Sequence, residues 1–137
     1  MTNYIHINEN SKEFHLTNGK LSYIFRVMEQ TKILEQLYAG KAIRHQESFA
    51  HLIEREIRPS NNQVTGDHTT SLEHIKQEMP VYGTTDFRYP GMEIRYPDGD
   101  RISQFEYRSY SVVEGKKRLP NLPATFAGEH EATTLEI

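Results

Sequence analysis

The chain reads as an all-β domain, an antiparallel β-sandwich with room for one short helix. Three features predict this: apolar residues recur at every second position, turn-forming residues punctuate the runs, and helical spacing is confined to one window. In residues 20–28, Leu21, Tyr23, Phe25 and Val27 share one side of an extended chain, with Ser22 and Arg26 on the other; Ile24 and Met28 interrupt the polar side. Just before it, residues 13–16 place Phe14 and Leu16 together, and Thr17-Asn18-Gly19 makes a tight turn because Asn and Gly tolerate positive φ. The two runs form a hairpin. A second hairpin follows the same logic: Met92, Ile94 and Tyr96 alternate with Glu93 and Arg95, Pro97-Asp98-Gly99-Asp100 supplies the turn, and residues 101–113 return as a long strand carrying Phe105 and Tyr107 on one face. Further strands are predicted at 4–8, 34–38, 75–81 and 132–137, giving seven or eight in all, as a sandwich requires.

Two stretches depart from this pattern. Residues 47–58 place Phe49, Leu52, Ile53 and Ile57 at helical spacing, with Glu54 and Arg58 four apart, and a loop or a short helix is open there. Residues 59–71, PSNNQVTGDHTTS, are built from side chains that bond to their own backbone, which predicts a long loop leaving the sandwich. The last residues, EATTLEI, start a strand with no turn or cap behind it. Residues 1–137 are therefore expected to be a single β-sandwich domain, cut at its C-terminal end.

A chain of 137 residues is long enough to bury a core without disulfide or metal support, and its fourteen Tyr and Phe residues supply volume that a disordered segment lacks. The absence of Cys removes thiol chemistry and suits a cytoplasmic protein. A net charge of −3, with Lys116-Lys117-Arg118 as the basic run, argues against nucleic acid as a partner. Neither a signal-peptide pattern at the start nor an apolar run of membrane-spanning length occurs, so secretion and a membrane partner are not expected.

Motifs for chemistry are sparse. His45 and His51, and His68 and His74, lie six apart, which is neither a helical pair nor part of an HExxH pattern; no metal and no cofactor is expected. There is no nucleophile elbow, phosphate loop or dinucleotide fingerprint. The alternating aromatics Tyr23 and Phe25, and Phe105 and Tyr107, can serve either as core or as a sugar-stacking platform, and a sandwich needs them as core.

Five blocks in order, FHLTNGKLSYIF at 14–25, LEQLYAGKAIRH at 34–45, SLEHIKQEMPVYGTTDFRYPGMEI at 71–94, DGDRIS at 98–103 and GKKRLPNLPATF at 115–126 with EATTLEI after it, resemble the N-terminal β-domain of glycoside hydrolase family 36 α-galactosidases. The elements YGTTDFR and LPATF carry most of the likeness. The resemblance implies a β-supersandwich followed, in the whole enzyme, by a (β/α)8 barrel and a C-terminal β-domain. It further implies release of terminal α-linked galactose from melibiose- and raffinose-type sugars by a retaining mechanism, using two barrel aspartates. A barrel takes about 250 residues, so no position here inherits a catalytic role.

What the resemblance does carry over is a supporting role. This part is expected to hold the absent barrel and neighbouring subunits, those being its partners, and to meet galactoside sugars only through the whole enzyme. In the family's tetramers a loop of this domain reaches a neighbour's active site with an acidic residue before a Pro-containing segment, and HLIEREIRPS puts Glu54 at or beside that place. A surface Glu paired with Arg58 is the alternative. Asp86 and Arg88 of GTTDFR are matched too, either as a sugar contact or as a structural ion pair. Ala39 stands where the family commonly has a large aromatic. A free-standing carbohydrate-binding module and a pure oligomerisation domain are the competing functions, and the absence of Trp weighs against the first.

Overall fold

The computed structural model describes residues 4–128 and 130–137. Strands β1 (Ile5–Asn8), β2 (Glu13–Thr17), β3 (Leu21–Val27) and β4 (Leu34–Lys41) form one antiparallel sheet in chain order, and β5 (Ser111–Glu114) pairs with β6 (Thr133–Glu136) in a second. The predicted turn between β2 and β3 forms as its residues dictate. Gly19 takes φ +79°, and the Asn18 side-chain oxygen accepts the backbone N–H groups of Lys20 (3.0 Å) and Leu21 (2.8 Å).

The period-two pattern places Phe14, Phe25 and Val27 in one buried cluster, with Leu135 of β6 and Tyr107 and Tyr110 packed over it. Phe14 has no exposed surface; its ring stacks on Phe25 at 5.0 Å between centroids and meets the edge of Tyr110. While the β5 residues stay exposed, Leu135 of β6 with Tyr107 and Tyr110 ahead of β5 covers part of one face of the large sheet. Its other face is covered by the segment after β4, where Phe49 packs on Ile24 and Leu37. This explains why Ile24 interrupts the polar side of β3: the strand is buried on both faces. The aromatic pair Tyr23 and Phe25 is core, as a sandwich needs, with the Tyr23 hydroxyl donating to the Glu78 carboxylate.

The all-β, antiparallel class holds, and several boundaries change. The described residues contain six strands rather than seven or eight. Residues 75–81 form no strand: Gln77 makes one bridge to Glu35, and Pro80, which lacks an N–H, ends the pairing. The second hairpin keeps its turn, with Gly99 N–H donating to Tyr96 O (2.9 Å) and Tyr96 N–H to Asp100 O (2.8 Å), but its arms part beyond it. Met92 bridges Val81 and Ser103 N–H bonds Tyr82 O, so the backbones of both arms are drawn to residues 81–82, and beyond the turn the arms meet through side chains such as Arg101 and Glu93. Regular pairing resumes only at β5, and Phe105 is exposed while Tyr107 is half-buried. In 47–58 the helical spacing yields a single 3-10 turn, Ala50–Leu52.

The 59–71 excursion is tied at its base by Arg58 N–H to His68 O (2.6 Å) and Gln63 N–H to Thr70 O (3.0 Å). Inside it the Asp67 carboxylate accepts the hydroxyls of Thr69 and Thr70 and the Thr69 amide, which hold its pKa down to about 2. Because the folded value is depressed, whatever these bonds contribute is present above the ordinary carboxylate value of 3.8 and is lost as pH falls toward about 2. A carbon-detected NMR titration is expected to place the Asp67 midpoint near 2, and Thr69→Val to move it up. A midpoint at 3.8 in the unaltered chain would mean that the Thr bonds do not persist in solution.

Candidate sugar-contacting edge

Beside β4 the chain makes two short excursions, 50–58 and 72–76, which bring Glu54, His74 and Lys76 to one edge. Leu52 and Ile53 of the first pack against the Ile24, Leu37 and Phe49 cluster, which fixes its backbone to the sheet. Directly after them Glu54 points outward, with a side chain 83% exposed and one long contact, Lys76 Nζ to Oε2 at 3.4 Å. Glu54 is not paired with Arg58. The guanidinium of Arg58 bonds Glu56 instead and lies 3.4 Å from His74 Nδ1.

The adjacent Arg55 turns inward. Its two terminal nitrogens grip the two carboxylate oxygens of Glu35 on β4, one at 2.8 Å, while Nη1 also donates to the backbone oxygen of Glu54 (2.7 Å). Arg26 Nε on β3 completes the cluster with a 2.9 Å bond to the same carboxylate. Burial pushes the Glu35 carboxyl up, but the bonds from Arg55 and Arg26 more than offset it, and the group is held below the ordinary carboxylate range. A buried charge that is fully bonded stays ionised, and here it acts as a peg for the Glu54 backbone. Arg26, Glu35 and Arg55 were not singled out from sequence. Arg26 and Glu35 are direct cross-strand partners in the β3–β4 register, so a correct hairpin alignment pairs them.

Asp86 and Arg88 lie on the far side of the 72–76 excursion. Asp86 is buried, and Arg88 meets it with two side-chain bonds of 2.9 Å. Arg88 Nη2 also donates to the backbone oxygens of Leu72 (2.7 Å) and Ile75 (2.9 Å), and Gln77 donates to Asp86 Oδ2. Both groups of the pair are engaged in bracing the chain, and the geometry is that of a structural ion pair. The bracing has a consequence for the edge, because the segment it pins carries Lys76, the partner of Glu54.

The recess lined by Glu35, Gln36, Leu52, Glu54, His74 and Lys76 measures about 20 Å³. That is room for one water and not for a sugar ring. Glu54 therefore contributes to a sugar site only if another surface supplies the remaining walls. Elsewhere, exposed Ala39 borders a larger hollow of about 510 Å³ with Tyr23, Gly40 and Thr133, and no aromatic at position 39 fills it. Among the described residues no group of His, Asp or Glu side chains is arranged to hold a metal ion, and no helix is long and apolar enough to cross a membrane.

Comparison with known proteins gives a consistent result. The glycosyl hydrolase family 36 N-terminal domain profile matches residues 32–137. Alpha-galactosidase AgaA of Geobacillus stearothermophilus is 37% identical over 131 residues, covering 95% of this chain and 18% of that enzyme. Alpha-galactosidase 1 of Pediococcus pentosaceus is 34% identical over 136 residues, with 97% and 18% covered. Among solved structures, the alpha-galactosidase of Lactobacillus brevis superposes with a TM-score of 0.86 at 34% identity, over 96% of this chain and 18% of that one. A variant of AgaA solved in complex with raffinose gives 0.80 at 36% identity, over 90% and 17%. The chain thus spans less than a fifth of the length of these relatives. With its profile, its relatives and its fold in agreement, the chain belongs to the family of glycosyl hydrolase family 36 N-terminal domains.

Proposed function

We propose that the chain is the non-catalytic N-terminal part of an α-galactosidase that releases terminal α-linked galactose from melibiose- and raffinose-type sugars with retention of configuration. The observation that carries this reading is an alignment that takes in 95% of the chain but only 18% of an enzyme named as an α-galactosidase. Raffinose bound to a structural relative at 36% identity supports the substrate class. The nucleophile and the acid/base lie on the barrel outside these residues. This part supports that barrel and the contacts between subunits, and Glu54 completes the sugar site of a neighbouring subunit. The 20 Å³ recess supports the last step, since Glu54 stands exposed with no pocket of its own. A cytoplasmic location is part of the same reading, and a chain without Cys suits it.

Two measurements test it. The chain alone is expected to hydrolyse no aryl α-galactoside, whereas exchanged into AgaA in place of the matching segment it is expected to support turnover. Turnover by the purified chain alone that vanishes on mutating one of its acidic residues would overturn the reading. In the exchanged enzyme Glu54→Gln is expected to raise KM for raffinose about tenfold, the value of one hydrogen bond to a charged group. An unchanged KM would remove Glu54 from the site.

A further inference from the structure

Three imidazoles meet where the segment after β4 crosses the sheet. His6 on β1 and His15 on β2 are direct cross-strand partners, and His45, from the segment 42–49, stacks on His6 with centroids 4.4 Å apart and planes 17° from parallel. His15 Nδ1 lies 3.3 Å from His45 Nδ1, and His15 Nε2 lies 2.8 Å from the Ser22 hydroxyl. His15 is buried, His6 is half-buried and His45 is exposed. We propose that His15 and His45, with His6 stacked beside them, form a pH-sensitive latch that fastens segment 42–49 to the sheet while at least one of the facing pair is neutral and loosens it when both are protonated.

Proton counting carries the argument. Two facing Nδ1 atoms 3.3 Å apart form a hydrogen bond only if one has a proton and the other a lone pair. The pair therefore accepts one extra proton with the contact intact. A second puts N–H against N–H, while the stacked His6 opposes any positive charge on His45. The surrounding charged groups offer limited relief. Glu13 on β2 faces the cluster but already accepts bonds from Ser48 Oγ (3.1 Å) and Phe49 N–H (2.9 Å); β3 brings the uncharged Ser22; the segment itself carries Arg44, Glu47 and, just beyond it, His51. Burial and the neighbouring imidazoles lower the pKa of His15, and burial and His6 lower that of His45. A lowered histidine favours the folded state above the unfolded value of 6.5, and that contribution is lost as pH falls from 6.5 through the depressed folded values.

The rest of the segment's attachment is thin. Ala42 N–H bonds Lys20 O, Ile43 N–H bonds Ser22 Oγ, Asn8 Nδ2 bonds Glu47 O, and Phe49 fills its pocket over Ile24. Ser22 is thus shared between the latch and the segment backbone. The segment leads into 50–58, so a loosened latch removes one restraint ahead of the Glu54 excursion, which Phe49, Leu52 and Ile53 and the Arg55–Glu35 peg continue to hold. That bearing on a sugar site rests on the function proposed above; the latch itself does not.

The test uses the unaltered chain. Amide hydrogen-exchange protection factors at Ile43 and Phe49, referenced to Ile24 and corrected for intrinsic rates, are expected to fall severalfold between about pH 7.5 and 5.5, the direction that lowered histidines dictate. In His45→Gln, a substitution at an exposed site that removes the facing Nδ1 pair, the fall is expected to shrink to what the burial of His15 alone gives. In Ser22→Ala, which removes the acceptor of the Ile43 amide, the pH dependence is read at Phe49 and is expected to remain, because the facing Nδ1 pair is intact. Protection that is independent of pH in the unaltered chain, or a pH dependence that is undiminished in His45→Gln, would overturn the latch. Neither result touches the assignment of the domain to α-galactosidases, which the exchange into AgaA decides separately.

Discussion

Truncating Phe14 to Ala is expected to remove about 3–5 kcal/mol of stability, a large fraction of the roughly 5–15 kcal/mol of an ordinary domain. Phe14 has no exposed surface, stacks on Phe25, meets Tyr110 edge-on, and joins β2 to the β5–β6 layer through the cluster that Leu135 caps. No neighbour moves freely into the space it leaves, because Phe25 and Val27 are fixed by the β3 ladder and Leu135 by β6. The control is Phe126→Ala, a ring of the same size that is 84% exposed and is expected to cost less than about 0.5 kcal/mol. Urea unfolding of the two variants beside the unaltered chain decides the matter. Equal costs would mean that the two layers do not share a core in solution.

The cluster around Phe14 was legible in the sequence because period two needs only local information. Phe14, Tyr23, Phe25 and Val27 fall on one side of their strands whatever those strands pair with, and Asn18-Gly19 fixes the register between them. The second hairpin shows where local reading stops. Its turn was correct to the residue, yet the arms bond to residues 81 and 82, a choice made by tertiary position that no alternation of Met92, Ile94 and Tyr96 reveals. Ile24 and Ile75 show the same limit from two sides: the first is an apolar residue on a side expected to be polar, the second an apolar residue in a strand that does not form. Each is buried by a segment without regular structure, Phe49 over Ile24 and the Met28–Leu72 cluster around Ile75. At the edge, Glu54 is a candidate through the resemblance and not by chemistry, since an exposed Glu with one Lys partner has no physical signature. Its neighbour Arg55 does have one, and it appears only once β4 places Glu35 beneath it.

Replacing Glu35 by Ala is the second change expected to be severe, and it separates the peg from ordinary packing. Glu35 is buried, and its carboxylate takes bonds from Arg26 and from both terminal nitrogens of Arg55. Removing one partner of a buried ion cluster typically costs about 3–5 kcal/mol, because the remaining charge is stranded. Arg26 and Arg55 keep 21% and 20% of their side-chain surface exposed, so water relieves part of that cost and a loss of about 3 kcal/mol is expected at pH 7. The pH dependence identifies the cause. Because the folded pKa is held below the ordinary value of 4.5, the carboxylate's contribution is present above that value and disappears as pH falls through the folded one. The gap between Glu35→Ala and the unaltered chain should therefore narrow on going from pH 7 toward pH 2, whereas a loss due to missing side-chain volume stays constant. Arg55→Ala should release the Glu54 backbone oxygen as well as one charge, loosening residues 53–56 with a smaller stability loss, since Glu35 retains Arg26. Urea melts at both pH values, with exchange of the residue 53–56 amides alongside, read these effects. A pH-independent loss in Glu35→Ala, or unaltered exchange in Arg55→Ala, would show that Glu54 is held by chain geometry alone and not by the charge buried beneath it.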